Sequence, residues 1–149
     1  MSNFVIGLFA VQLLGGAYLF SYTLSAGRLD STAHATRLPS AVVFSHLLLG
    51  GFSTATWIGW VVTDERGFAW ASFVSVALGV LLGTVMGLRT VTKPAVVDVP
   101  QNPVPGTPPD PADVRVAEKQ IPGVALLGHG GLGVTLLLLT LLIALDVLS

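Results

Sequence analysis

The chain has 149 residues, 52% of them hydrophobic and 10% charged, with a net charge of −1. A soluble domain carries about 25% charged residues and, at this length, keeps about 30% of its chain surface exposed, so a mean hydropathy of +0.80 excludes a water-facing globule and points to an integral membrane protein. The near-neutral charge argues against nucleic acid as a partner, and the absence of cysteine excludes disulfides, thiolate catalysis and thiolate-held iron–sulfur clusters.

The first run, Met1 to Gly27, carries no charge. It lacks the basic start of a signal peptide and is long enough to span, so it reads as a retained first helix over about residues 3–27. Tyr18 and Tyr22 near its end read as interfacial aromatics. A short polar connector, Arg28 to Arg37, follows, in which His34 is expected to be solvated. The second run, Leu38 to Thr63, predicts a helix over about 39–63. Pro39 suits its first turn, where a missing N–H costs nothing. Asp64-Glu65-Arg66 is a tight hydrated turn, which makes helices two and three antiparallel neighbours.

The third run predicts a helix over about 68–89. Its Ser75, Gly79, Gly83 and Gly87 recur every four residues, a small-residue face suited to close helix packing. Trp57, Trp60 and Trp70 flank the turn between helices two and three and read as interfacial anchors. Residues 90–120 hold Pro94, Pro100, Pro103, Pro105, Pro108, Pro109 and Pro111. Such a stretch has no apolar face to bury and favours extended polyproline conformations. The fourth run predicts a helix over about 121–147, with Pro122 near its start. The expectation is an all-α, four-helix transmembrane bundle of two parallel helical hairpins, forming a single membrane domain over 1–149.

Orientation follows from Lys and Arg. The connectors on one side hold Arg28, Arg37, Arg89, Lys93, Arg115 and Lys119; the opposite turn holds only Arg66. This predicts a multi-pass protein of the inner (plasma) membrane with the proline-rich loop cytoplasmic and both termini outside.

Two stretches match. "RLPSAVVFSHLLLGG" (37–51) opens the second helix and "QIPGVALLGHGGLG" (120–133) opens the fourth. In each, a histidine follows a proline by seven residues and a glycine follows the histidine by four. At 1.5 Å per residue both rings lie roughly 10 Å past their helix starts. His46 and His129 thus sit at one level on two parallel helices. Gly50 and Gly133, at i+4, leave a flat space beside each ring.

An ionisable group inside a membrane segment is costly and is a functional hypothesis by default. One reading is haem ligation, because haem iron accepts axial nitrogen ligands from both faces of the macrocycle. A second is a non-haem metal or proton site. Two histidines underfill a tetrahedral zinc or copper site, and Gln12 of the first helix falls nearer the outer half. A third is structural: imidazoles hydrogen-bonded across helices in a haem-free accessory subunit of a membrane (respiratory) complex. No Ser-His-Asp set, phosphate loop or paired carboxylates support hydrolytic or phosphoryl-transfer catalysis.

His46 and His129 in "SHLLLG" and "GHGGLG", with the four-span layout, resemble the four-helix membrane b-type cytochromes, which include b561-like proteins and the haem-bearing anchors of quinone-linked dehydrogenases. Two-haem members need four helical histidines; this chain has two, so the resemblance implies one haem b with His46 and His129 as its iron ligands. It places Gly50 and Gly133 beside the cofactor and Arg37 and Arg89 within reach of the propionates. The implied role is an electron-transfer subunit rather than a stand-alone enzyme. Its implied partners are membrane lipid, other membrane subunits of a redox complex and quinone.

Overall fold

The computed structural model describes residues 2–25, 33–35, 38–92 and 115–148. It contains four long helices: α1 (Ser2–Ser25), α2 (Ser40–Thr63), α3 (Arg66–Thr92) and α4 (Gly123–Ala144). Each is long and apolar enough to cross a membrane. In hydrocarbon a backbone must satisfy its own polar groups, and a helix of 24 residues, about 36 Å long, does so across the whole apolar layer. Large hydrophobic side chains such as Phe4, Leu14, Leu48, Val62, Leu81 and Leu127 are exposed on the outside of the bundle, as side chains facing lipid would be.

The helix ends follow local chemistry. Asp64, in the left-handed region at φ 57, closes α2 with its N–H on the Trp60 carbonyl. The α2–α3 turn is therefore two residues long, and α3 starts at Arg66, earlier than expected. α4 ends in a Schellman closure. Asp146, at φ 65, donates to Ile143 O (2.9 Å), and Val147 donates to Leu142 O (2.9 Å). Arg66 and Asp146 form a 2.6 Å ion pair that ties the α2–α3 turn to the end of α4.

α1 packs on α4 and α2, and α3 packs on α2 and α4, so the helices stand in chain order around a square. α2 and α4 face each other across one diagonal, α1 and α3 across the other. The tightest pair is α2–α3; the expected α1–α2 hairpin makes the least extensive contact of the four neighbours. Small residues explain the first. The Gly59 backbone lies against the Phe68 ring, Ser72 Oγ donates to Ser53 O (2.9 Å), and His46 meets Gly79 and Gly83, an antiparallel ladder down α2 and α3.

The apolar core lies toward the α2–α3 turn. Val5, Phe9, Trp57, Val76, Leu136 and Ile143 form it. Trp57 is 0% exposed, which corrects its reading as an interfacial anchor: it sits almost two turns inside the helix, facing Phe9 at 5.8 Å.

At the opposite, connector end, two short strands pair in parallel. β1 (Ala33–Ala35) lies beside β2 (Arg115–Val116), with Ala33 opposite Arg115 and Ala35 opposite Val116. They bring the first and third connectors together on one side of the bundle, an addition to the all-α expectation. A 3-10 turn, Ala117–Gln120, leads into α4. Arg28, Arg37, Lys93 and the proline-rich residues 93–114 lie outside the described residues, as do the side chains of His34, Arg115 and Lys119.

Candidate functional site

The two matched prolines stand one residue before their helices. Pro39 (φ −60, ψ 127) precedes α2 and Pro122 (φ −59, ψ 127) precedes α4. Each carbonyl accepts the amides three and four residues on: Val42 and Val43 at 3.0 and 3.1 Å, Ala125 and Leu126 at 2.9 and 3.2 Å. Pro supplies a fixed φ and no orphan N–H at a helix entrance. The same backbone geometry thus starts both helices and carries both histidines two turns in.

Because α2 and α4 are diagonal, the rings of His46 and His129 meet near the bundle centre. Their centroids are 6.1 Å apart and their planes 67° apart. Among the described residues, no group of three or more His, Cys, Asp or Glu gathers that could hold a metal, so the pair stands as a two-nitrogen donor set.

His46 reaches across to α3. Its Nδ1 lies 2.9 Å from the carbonyl of Gly79. A carbonyl only accepts, so Nδ1 carries the proton and Nε2 keeps its lone pair. The Cε1 edge rests over Gly83, where a Cβ would stand only 3.1 Å away. The small-residue face of α3 therefore does more than pack: one glycine supplies the acceptor and the next supplies the clearance.

His129 reaches across to α1. The ring lies on Gly15 and Gly16, where added Cβ atoms would each come within 3.3 Å of it. Its Nε2 is 3.3 Å from Nε2 of Gln12. Its Nδ1 and the Gln12 Oε1 are both buried with no hydrogen-bond partner, as is Nε1 of Trp57. Gln12 thus belongs to the histidine level, which corrects its expected place in the outer half. The available signal was the amide in the interior of an uncharged helix whose other amide, Asn3, stands at its start, and a polar group that costs several kcal/mol to leave bare in hydrocarbon is there for a partner.

Gly50 and Gly133 lie at this level but do not carry the rings. Gly50 admits Leu13 of α1, and Gly133 is buried against the Gln12 amide (3.3 Å from its would-be Cβ) and Val80 (3.6 Å). A helical side chain leans toward the N-terminal turn, so each imidazole moves away from its own i+4 glycine and lands on glycines of the neighbouring helix. Arg89 is exposed in the last turn of α3, at the connector end. Tyr18 and Tyr22 pair through their hydroxyls at 2.8 Å. A partly open cavity of about 300 Å³ separates α1 from α4 beside His129, lined by Gln12, Gly15 and Tyr18 on one side and Gly128, His129 and Leu132 on the other.

The layer as a whole offers two imidazoles at one depth, glycines on both flanking helices, one ring nitrogen with a free lone pair and one ring held only by a side-chain amide. Such a set can bind a planar metal complex or hydrogen-bond helices together. The chain matches no known family model, no curated protein and no solved structure.

Proposed function

We propose that the chain is a membrane b-type cytochrome, in which His46 of α2 and His129 of α4 would hold the iron of one haem b. The observation that carries this reading is the separation of the two rings. With their centroids 6.1 Å apart, a ring nitrogen from each histidine would reach one metal ion set between them; for His129 that requires Nε2 to leave the Gln12 amide, 3.3 Å away. The donor chemistry also fits: His46 gives its Nδ1 proton to a backbone carbonyl and keeps Nε2 for a metal, the usual arrangement of a ligating imidazole. Gly15 and Gly16 on α1 and Gly83 on α3 give the two imidazoles the room they occupy.

Bound there, the haem supplies reversible one-electron chemistry. The protein's part is to fix the two nitrogens, keep water from the site and leave no coordination position for a small molecule. The site lies toward one end of the bundle, so electrons would pass between a partner on that side and membrane quinone or another cofactor of a larger complex. Six cationic residues at the connector end against Arg66 at the turn make the connector end cytoplasmic and both termini external. Arg89, exposed in the last turn of α3 at that end, is the cation we assign to the propionates. A reporter fused to the C-terminus tests this: external signal is expected, and a cytoplasmic one inverts the topology.

The interhelical hydrogen bonds of His46 and His129 also suit the alternative, a haem-free accessory subunit in which the imidazoles serve as glue. An absorption spectrum of purified protein separates the two. The cytochrome gives a sharp reduced-minus-oxidised alpha band, lost in both His46→Ala and His129→Ala. A colourless, folded preparation from haem-replete cells leaves the accessory role.

A further inference from the structure

The two imidazoles are held differently. His46 is fixed by a backbone carbonyl. His129 has only the Gln12 amide nitrogen, 3.3 Å from its Nε2. An amide nitrogen donates and does not accept, so Nε2 of His129 presents its lone pair and Nδ1 bears the proton. That Nδ1–H is buried without an acceptor, and the Gln12 Oε1 is buried without a donor. Each orphan is costly alone. Here they are complementary, and they sit on two side chains already in contact.

We infer that Gln12 is the positioning residue of His129 and that it has two hydrogen-bonded arrangements. In the one seen here, its amide N–H caps Nε2. In the other, its side-chain carbonyl takes the Nδ1 proton and leaves Nε2 open, the same state that Gly79 imposes on His46. The proton stays on Nδ1 throughout, so the exchange needs only rotation of the Gln12 side chain. Space for that rotation is built in. Gln12 rests on Gly133, where any side chain would crowd its amide, and it borders the cavity between α1 and α4. The capped arrangement guards a lone pair that would otherwise be bare in an apolar layer; the second makes His129 a more basic ligand. That a haem iron takes the opened Nε2 rests on the proposed function; the Gln12–His129 pairing does not.

Histidine-selective 15N labelling of the full chain in lipid nanodiscs, prepared without haem so that no iron fixes the tautomer, reads which ring nitrogen is protonated. The expected pattern is Nδ1–H for both His46 and His129. Gln12→Met, which keeps the length and volume of the side chain, should leave His46 unchanged and give His129 a mixture of tautomers. A wild-type His129 protonated at Nε2, or an unchanged His129 pattern in Gln12→Met, overturns the inference. In haem-loaded protein the same variant should release haem about 10–100-fold more readily and raise the midpoint potential; unaltered haem retention and potential would remove the ligand-positioning role. Protein that carries no haem sinks the cytochrome reading, while the tautomer measurement still decides for or against Gln12.

Discussion

The half of the bundle near the α2–α3 turn and the half near the connectors are built from different materials. In the first, Val5, Phe9, Trp57, Val76, Leu136 and Ile143 fill the centre, and Trp57 alone touches the rings of Phe9 and Trp60 at 5.8 and 4.7 Å. In the second, the centre holds two imidazoles and a ring of glycines, and its contacts are polar and cross between helices. Helices in lipid associate mainly through close van der Waals packing. A layer of glycine and histidine lets α2 and α3 approach closely but leaves a cavity of about 300 Å³ between α1 and α4. The comparison teaches that one half secures all four helices through a filled centre, while the other is close-packed on one side and open on the other.

Substitutions in the two halves should therefore separate stability from site integrity. The largest effect on stability is expected from Trp57→Ala. It empties the middle of the apolar cluster and should cost about 3–5 kcal/mol, read by unfolding of the protein in detergent micelles. On the cytochrome reading proposed above, the spectrum of whatever remains folded should be normal. A cost under about 1 kcal/mol would show that the turn-end cluster is not the anchor. Gly83→Ala sharpens the contrast from the other side. Its Cβ would sit 3.1 Å from His46 Cε1, so the ring must shift; the overpacking costs about 1–3 kcal/mol and should broaden or weaken the alpha band. Gly131→Ala, on the same level but with nothing within 4 Å of its Cβ, is the control. It should be neutral or up to about 1 kcal/mol stabilising through helix propensity. If Gly83→Ala behaves like Gly131→Ala, the His46 ring is not fixed where the structure places it. The smallest effect belongs to Ser72→Ala, which removes the Ser72–Ser53 bond between α2 and α3. Interhelical hydrogen bonds in membranes average about 0.6 kcal/mol, and a loss several times larger in the same unfolding measurement would mean that polar contacts, not packing, hold this pair.

Much of the architecture was legible in the residues. Four charge-free runs separated by Asp, Glu, Lys, Arg and proline fix four spans, because nothing else in hydrocarbon satisfies a backbone. The Pro-to-His spacing fixes depth, because rise per residue is constant along a helix, and both histidines do share one level. What a sequence of this kind does not carry is rotation about the helix axis. A water-facing helix shows its inner face by an apolar stripe; α1 is greasy all round, so nothing marked the side bearing Gln12, Gly15 and Gly16 as the one that meets His129. Gly50 and Gly133 drew attention because they share a helix with the rings. The tilt of side chains toward the N-terminus sends each imidazole to a neighbour's glycines instead. Trp57 was misplaced for a related reason. Nearness to a turn suggested the interface, but the direction of its side chain put it in the core. The strands were too short, at three and two residues, to leave a pattern.

The parallel contact between Ala33–Ala35 and Arg115–Val116 bears on how the molecule is assembled. A ribosome releases β1 early, just after the first span, and its partner only after two further spans have been made. Until then the connector end has no clasp, and α1 has only its slender contact with α2. Insertion would thus proceed with α2 and α3 docking as a unit while α1 stays loosely associated. Emergence of α4 would then bring it against α1, let the clasp shut and enclose the histidine layer.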